Sequence, residues 1–316
     1  MKCPVCQREN YEGAKFCMHC GTEMPKPPSR AKQFFVALLK AFCYYGLFFG
    51  LQSAVLLIYE FALIFGEMSG GMIDSYLYGG QFTIPETLYE TLMEQVQQNV
   101  HLLLILSAAL TLLFLFLFFQ LRRKKPFEEM ALRSASPVKM GTALVLGAAL
   151  QFFVTITMAF IPIPEDLLES FAESSKYLHG GPLGLELISI AVVTPILEEI
   201  IFRGLVFTRL RRGMAPFVAV GVGAAIFGAA HGHIIAFVYA GCLGILLTLL
   251  MLKCGESILV PICCHAGFNA SSYLIDLTLG TGDNPPLLLM FYFISIALTV
   301  LSAYLIFRSP APEEEE

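Results

Sequence analysis

Charge is what this sequence has least of. Asp, Glu, Lys and Arg make up 14% of its residues and hydrophobic residues 56%, whereas a soluble globular domain is about a quarter charged. A soluble fold is excluded, because runs of about 20 apolar residues recur from Gln33 almost to the C-terminus. No cleavable signal peptide is expected. The N-terminus opens on a polar segment containing cysteines, where a basic patch and an apolar stretch would be needed. The first span is therefore expected to act as its own insertion signal. No H-E-x-x-H pair and no serine nucleophile elbow occurs, which removes the commonest helix-borne zinc site and a covalent serine route. The net charge of −5 says little about partners, and no nucleic-acid partner is expected.

What the chain has is hydropathy in blocks. The pattern predicts an all-α, polytopic membrane bundle of eight helical spans near residues 38–65, 101–121, 140–160, 183–207, 215–231, 234–252, 257–279 and 287–307. Lys and Arg cluster in alternate connections, as the positive-inside rule requires. Arg122, Arg123, Lys124, Lys125, Arg133 and Lys139 follow the second span, and Arg209, Arg211 and Arg212 follow the fourth. The intervening loops 66–100, 161–182, 232–233 and 280–286 hold only Lys176 among basic residues. Both termini are thus expected in the cytoplasm of a bacterial cell, with the chain embedded in the cell membrane. The expected division is a ribbon at 1–24, a Pro-rich basic linker at 25–37, the bundle at 38–308 and an acidic tail at 309–316.

The N-terminal segment "CPVCQRENYEGAKFCMHCG" contains two C-x-x-C knuckles. Cys3, Cys6, Cys17 and Cys20 can converge four sulfurs on one zinc, and a reducing cytoplasm disfavours disulfides as the alternative. A segment this short cannot bury a core and is expected to need its metal to fold. It resembles the minimal zinc ribbons at the ends of many bacterial proteins, and docking a protein partner or regulation is its expected role. His19 reads as a spacer. Cys43, Cys242, Cys254, Cys263 and Cys264 read as small packing residues.

The fourth span carries charges. In "TPILEEIIFRGL", Glu198, Glu199 and Arg203 fall within six residues, although an ionisable group at the bilayer centre costs about 2.5–3.5 kcal/mol. Glu199 and Arg203 stand i,i+4 with the acid first, the favourable order for an ion pair. Glu198 lies about 100° around the helix and is the less neutralised carboxylate, a position that suits a general base. A purely structural ion network is the alternative. His231 ends the fifth span, and His265 and Asn269 stand i,i+4 in the seventh, facing one cavity. Polar residues on three helices of an apolar bundle most easily find one another. Pro195 is expected to kink the fourth span. Glu60, Glu186 and Asp276 read as outer-end acids that snorkel to water, and Lys40 likewise snorkels. The basic second loop reads as a juxtamembrane segment on anionic lipid or as a topology signal.

"EEIIFR", "FGAAH" and "HAGFN" resemble, in order, the three signature motifs of the CPBP intramembrane endopeptidases, the CAAX protease and bacteriocin-processing (Abi) family, over about residues 140–305. The resemblance implies proteolysis within the membrane. Glu198 and His231 match the pair taken to activate water, with Glu199 and Arg203 completing the first motif. His265 and Asn269 match the pair assigned to the oxyanion. The family was first described as metalloproteases, but a metal-free glutamate mechanism is favoured here, because Asn is a poor zinc ligand and H-E-x-x-H is missing. The expected substrate is a membrane-associated or lipidated peptide or protein. The alternative function is a non-proteolytic receptor or bacteriocin-immunity protein holding a peptide in the same cavity.

Overall fold

A computed structural model describes residues 2–11, 14–24, 29–78, 88–176, 180–279 and 284–309. The described residues form ten helical segments and no strand. Eight of the segments cover the eight expected spans; the other two are additional. In chain order they are α1 (Arg30–Tyr78), α2 (Leu88–Leu121), α3 (Pro126–Glu129), α4 (Pro137–Phe160), α5 (Glu165–Lys176), α6 (183–210), α7 (Pro216–Ala229), α8 (Ile234–Lys253), α9 (Leu259–Leu279) and α10 (Pro285–Arg308).

Five helices, α1, α2, α4, α8 and α10, are long and apolar enough to cross a membrane. The protein is a multi-pass membrane protein. Large apolar side chains such as Phe35, Leu57, Phe61 and Phe65 on α1 and Phe293 and Val300 on α10 stay exposed, as lipid-facing surfaces do when the solvent is hydrocarbon.

Three boundaries differ from expectation. With 49 residues α1 is about 74 Å long, far more than the hydrocarbon thickness of about 30 Å. The expected linker at 25–37 is helical from Arg30, and the expected loop at 66–100 is largely helix on both sides of residues 79–87, which lie outside the described residues. Hydropathy registers where an apolar run ends, whereas a helix continues until its backbone hydrogen bonds stop. The third difference is α7. It ends at Ala229, about 21 Å after it starts, and the chain turns back through residues 230–233 into α8. Gly232 supplies the left-handed backbone (φ +72°) that the turn needs. His231 therefore sits on a reversal, not on a helix. The acidic tail beyond Ser309 lies outside the described residues.

Two packed cores hold the bundle. One joins α1, α2, α6 and α7 through Phe48, Leu115, Phe119, Phe202, Leu205 and Phe227. The other joins α4, α8, α9 and α10 through Leu146, Leu247, Leu250, Val260, Phe268 and Ile306. Between α4 and α9 the backbones nearly touch. A Cβ on Gly147 would lie 1.7 Å from the Cys264 carbonyl oxygen, and one on Gly267 would lie 2.1 Å from the Leu144 carbonyl oxygen. Small residues at such crossings let membrane helices approach where no hydrophobic drive separates helix from lipid. The crossing fixes the depth of His265 and Asn269 on α9.

At the basic end of the bundle, the second loop is strapped to the helices. Glu129 binds Lys124 at 2.7 Å and also pairs with Arg209. The Ile258 amide donates to the Ala131 carbonyl at 3.1 Å, and the Ser257 hydroxyl to that of Arg133 at 2.7 Å. Arg211 forks onto Glu256, which Arg133 approaches at 3.7 Å.

Candidate active site

α6 brings the charges together, and it is not a plain α-helix. Its hydrogen bonding widens to π turns at Ser189–Val193 and Ile200–Phe207, with α-helix at Thr194–Glu199 between them. Such turns are rare and concentrate at functional sites. The first has a visible cause. Thr194 donates to the Ser189 carbonyl, five residues back. The next residue, Pro195, has no N–H, so the Ile190 carbonyl is left without a helical donor. Asn269 fills the gap, its Nδ2 donating to the Ile190 oxygen at 2.9 Å. One N–H of the Asn269 amide thereby ties α9 to α6, and the other is uncommitted to this bond.

The two glutamates have different surroundings. The Glu199 side chain is 0% exposed, and its Oε1 accepts from Arg203 Nη1 at 2.7 Å and from His265 Nδ1 at 2.9 Å. Its Oε2 is buried with no hydrogen-bond partner among the described residues. Arg203, itself buried, also donates to the Gly244 carbonyl at 3.3 Å and lies over the Phe227 ring at 4.2 Å. The guanidinium thus meets a carboxylate, a carbonyl and a π face, which together replace its hydration. Glu198 is 15% exposed, and its Oε2 stands 3.7 Å from His265 Nε2. His265 therefore lies between the two carboxylates, with one nitrogen facing each.

His231 reaches the same cluster through Phe227. The Phe227 ring meets the His231 ring edge-on at 4.9 Å and the His265 ring at 5.8 Å. His231 Nδ1 lies 2.9 Å from the Phe227 carbonyl oxygen. A carbonyl only accepts, so Nδ1 carries the proton and a neutral His231 keeps its lone pair on Nε2. The geometry thus joins Glu198, Glu199, Arg203 and His265 directly, with His231 on the α7–α8 turn reached through the Phe227 ring and Asn269 tied to α6 one turn along α9 from His265.

Some residues fall elsewhere than the sequence indicated. Glu186 is buried rather than snorkelling, and accepts from the Tyr273 hydroxyl at 2.9 Å. Tyr273 lies one α-helical turn beyond Asn269 on α9, so an aromatic hydroxyl gives the acid a partner inside the bundle. The side chain of Asp276 lies outside the described residues. The Ile190 and Gly244 carbonyls were missed as site groups; Pro195, which removes a donor from α6, was the signal for the first. Of the remaining cysteines, Cys254 and Cys264 are buried, whereas Cys43 and Cys242 are exposed.

The N-terminal knuckles converge as a zinc site demands. The ligand atoms of Cys3, Cys6, Cys17 and Cys20 all lie within 4.8 Å of one another. Cys3 and Cys20 sulfurs stand 3.6 Å apart, and those of Cys6 and Cys17 stand 3.5 Å apart. Four sulfurs about 2.3 Å from a tetrahedral zinc would be about 3.8 Å apart, so the group fits. The two knuckles repeat one backbone form: the residue after the second cysteine is left-handed in each, Gln7 at φ 59° and Gly21 at φ 72°. Amides of His19 and Asn10 point at the Cys17 sulfur at 3.4 and 3.5 Å, and such donors stabilise a thiolate ligand. The hydroxyl and backbone amide of Thr22 hold the Cys20 thiol below its ordinary range.

The fold and its polar cluster define a polytopic helical membrane protein with a carboxylate and histidine site at its centre, preceded by a metal-binding ribbon. Comparison with known families narrows this. Residues 181–271 match the family Type II CAAX prenyl endopeptidase Rce1-like, and residues 2–24 match the zinc-ribbon domain. Residues 181–271 are thus similar to that endopeptidase family and residues 2–24 to a zinc ribbon, and the first range, narrower than 140–305, contains Glu198, Glu199, Arg203, His231, His265 and Asn269. No curated protein and no solved structure matches the chain.

Proposed function

We propose that the protein hydrolyses a peptide bond of a membrane-associated or lipidated protein, with Glu198 as the base that activates water. The unequal placement of the two adjacent carboxylates carries this reading. Glu199 is committed to Arg203 and His265, whereas Glu198 keeps partial access and no guanidinium. A base that must reach water needs the second arrangement. Glu198 takes a proton from water while the oxygen attacks the carbonyl carbon, and the proton then passes to the departing amine. His231 Nε2, with its free lone pair, orients the water.

The oxyanion is met by His265 and Asn269. His265, held at Nδ1 by Glu199, can meet the substrate oxygen with Nε2 when that nitrogen carries a proton. Asn269 contributes the N–H not used on Ile190. Donors held by packing before the reaction are worth more than mobile ones. The proposed route is metal-free, because Asn269 is a poor zinc ligand and no H-E-x-x-H pair occurs in the sequence.

The matching family's name points to prenylated C-terminal peptides as the substrate class. Purified protein in lipid vesicles, given a farnesylated peptide, should release its C-terminal fragment by mass spectrometry, and should still do so with a chelator. Glu198→Gln should abolish release. Tight binding without cleavage would replace this reading with a receptor, and equal cleavage by Glu198→Gln would remove Glu198 as base. The proposal places both termini in a bacterial cytoplasm, with the ribbon (1–24) docking a protein partner, the linker from 25, the bundle to 308 and the tail at 309–316. Reporter fusions at the two termini test the orientation.

A further inference from the structure

A cavity lies at the basic end of the bundle, away from the carboxylate cluster. It occupies about 430 Å³ between α1, α2 and the end of α6, and a neighbouring cavity of about 240 Å³ shares Lys40, Arg209 and Arg212 with it. Its rim carries Lys40, Arg122, Lys124, Arg209 and Arg212, whereas its wall is apolar, with Leu47 from α1 and Phe114 and Phe118 from α2. Of the five cations, Lys124 and Arg209 are bound to Glu129, and Arg212 lies within its electrostatic reach without a direct contact. Among the described residues, Lys40, Arg122 and Arg212 have no ion pair within 4 Å. Arg122 leans on the Phe118 ring, 5.5 Å from its centre.

A cationic rim above an apolar wall in a membrane protein fits an amphiphile with an anionic head. We infer that this cleft binds an anionic phospholipid of the adjacent leaflet, with its phosphate among Lys40, Arg122 and Arg212 and an acyl chain along Leu47, Phe114 and Phe118. Basic pockets between transmembrane helices recognise lipid headgroups by this chemistry. The position also explains why Lys40 is tolerated on an apolar stretch of α1: its ammonium has an anion to meet. The wall continues into the core that carries α6, since Phe48, one residue beyond Leu47, meets Phe202 at 5.8 Å. A lipid seated here would brace α1 against α6 without touching Glu198.

The full-length protein is reconstituted into vesicles of equal phosphatidylglycerol and phosphatidylcholine, extracted in mild detergent, and the retained lipid counted by native mass spectrometry. Each unpaired cation contributes about fivefold, so phosphatidylglycerol should be retained over phosphatidylcholine by about a hundredfold. The triple variant Lys40→Gln, Arg122→Gln, Arg212→Gln should lose the preference, and Leu47→Trp should lose the retained lipid while leaving the rim intact. Thermal unfolding checks that the variants fold, and the three single variants give the same ordering should the triple fail. Equal retention by the triple variant would overturn the inference. So would displacement by inorganic phosphate with no effect of Leu47→Trp, which would make the rim a phosphate site, or displacement by an acidic peptide, which would make it a peptide groove.

Discussion

Replacing Arg203 by methionine tests how the cluster is held. The substitution keeps most of the side-chain length and removes the charge. Glu199, with no exposed surface, would keep only its His265 contact, while its Oε2 already lacks a partner. Breaking a buried pair by removing one member costs about 3–5 kcal/mol. The cation–π contact with Phe227 and the bond to the Gly244 carbonyl vanish with the charge, but their loss is offset by no longer having to desolvate it, so they are not added. For a chain of this size the cost corresponds to a fall in Tm on the order of 10 °C. Glu198→Gln, at a partly exposed carboxylate with no guanidinium, should move Tm little. The double variant Glu199→Gln, Arg203→Met removes both charges and should recover much of the loss, because replacing a whole buried pair is often nearly neutral. Thermal unfolding in detergent compares the four proteins. Equal losses from Glu198→Gln and Arg203→Met, or a double variant as unstable as the single, would refute the assignment of the pair.

Gly147→Ala should force α9 away from α4, since its Cβ would fall 1.7 Å from the Cys264 oxygen; stability should drop by about 1–3 kcal/mol and turnover with it, whereas Gly141→Ala, with nothing within 4 Å, should leave both intact. Asn269→Ala leaves the Ile190 carbonyl without its donor and should lower turnover by about a hundred to a thousandfold with little change in KM, measured on the prenylated peptide. In the ribbon, Gln7→Gly relieves a left-handed backbone and should strengthen folding by about 1 kcal/mol, read as tighter zinc retention against a competing chelator, while Gly21→Ala should weaken it. The hydrogen bond from Arg211 holds the Glu256 carboxyl below the ordinary range. Its contribution to stability is therefore present above the unfolded carboxylate value and lost as pH falls through the lower folded one. Glu256→Gln should flatten that acid limb in a plot of Tm against pH.

Local spacing was readable in the sequence, and long-range partnership was not. The Glu199–Arg203 pair and the four converging cysteines follow from offsets of a few residues, and the structure has both. The positions of the eight spans follow from apolar runs, which the bilayer makes unusually plain. The α3 and α5 segments were read as loop because they are short. Yet Glu165 and Asp166 at the start of α5 and Lys176 at its end complement a helix dipole, and that signal was available. The Glu186–Tyr273 bond links residues 87 apart in sequence, and no local pattern encodes it. Nor does any encode the Asn269–Ile190 bond, although Pro195 marks where one was needed.

The π turn at Ser189–Val193 amounts to one residue of surplus in a helix. Each residue advances an α-helix by about 100°, so the surplus sets the angular phase between the outer end of α6, with Glu186, and the segment that carries the two glutamates. Deleting one residue there would leave a continuous helix of unchanged composition. It would also turn one end against the other by more than a quarter of a revolution, so that Glu186 could face Tyr273, or Glu199 could face His265, but not both. The helix behaves as a combination dial, in which the count of residues between two fixed partners matters more than their identity.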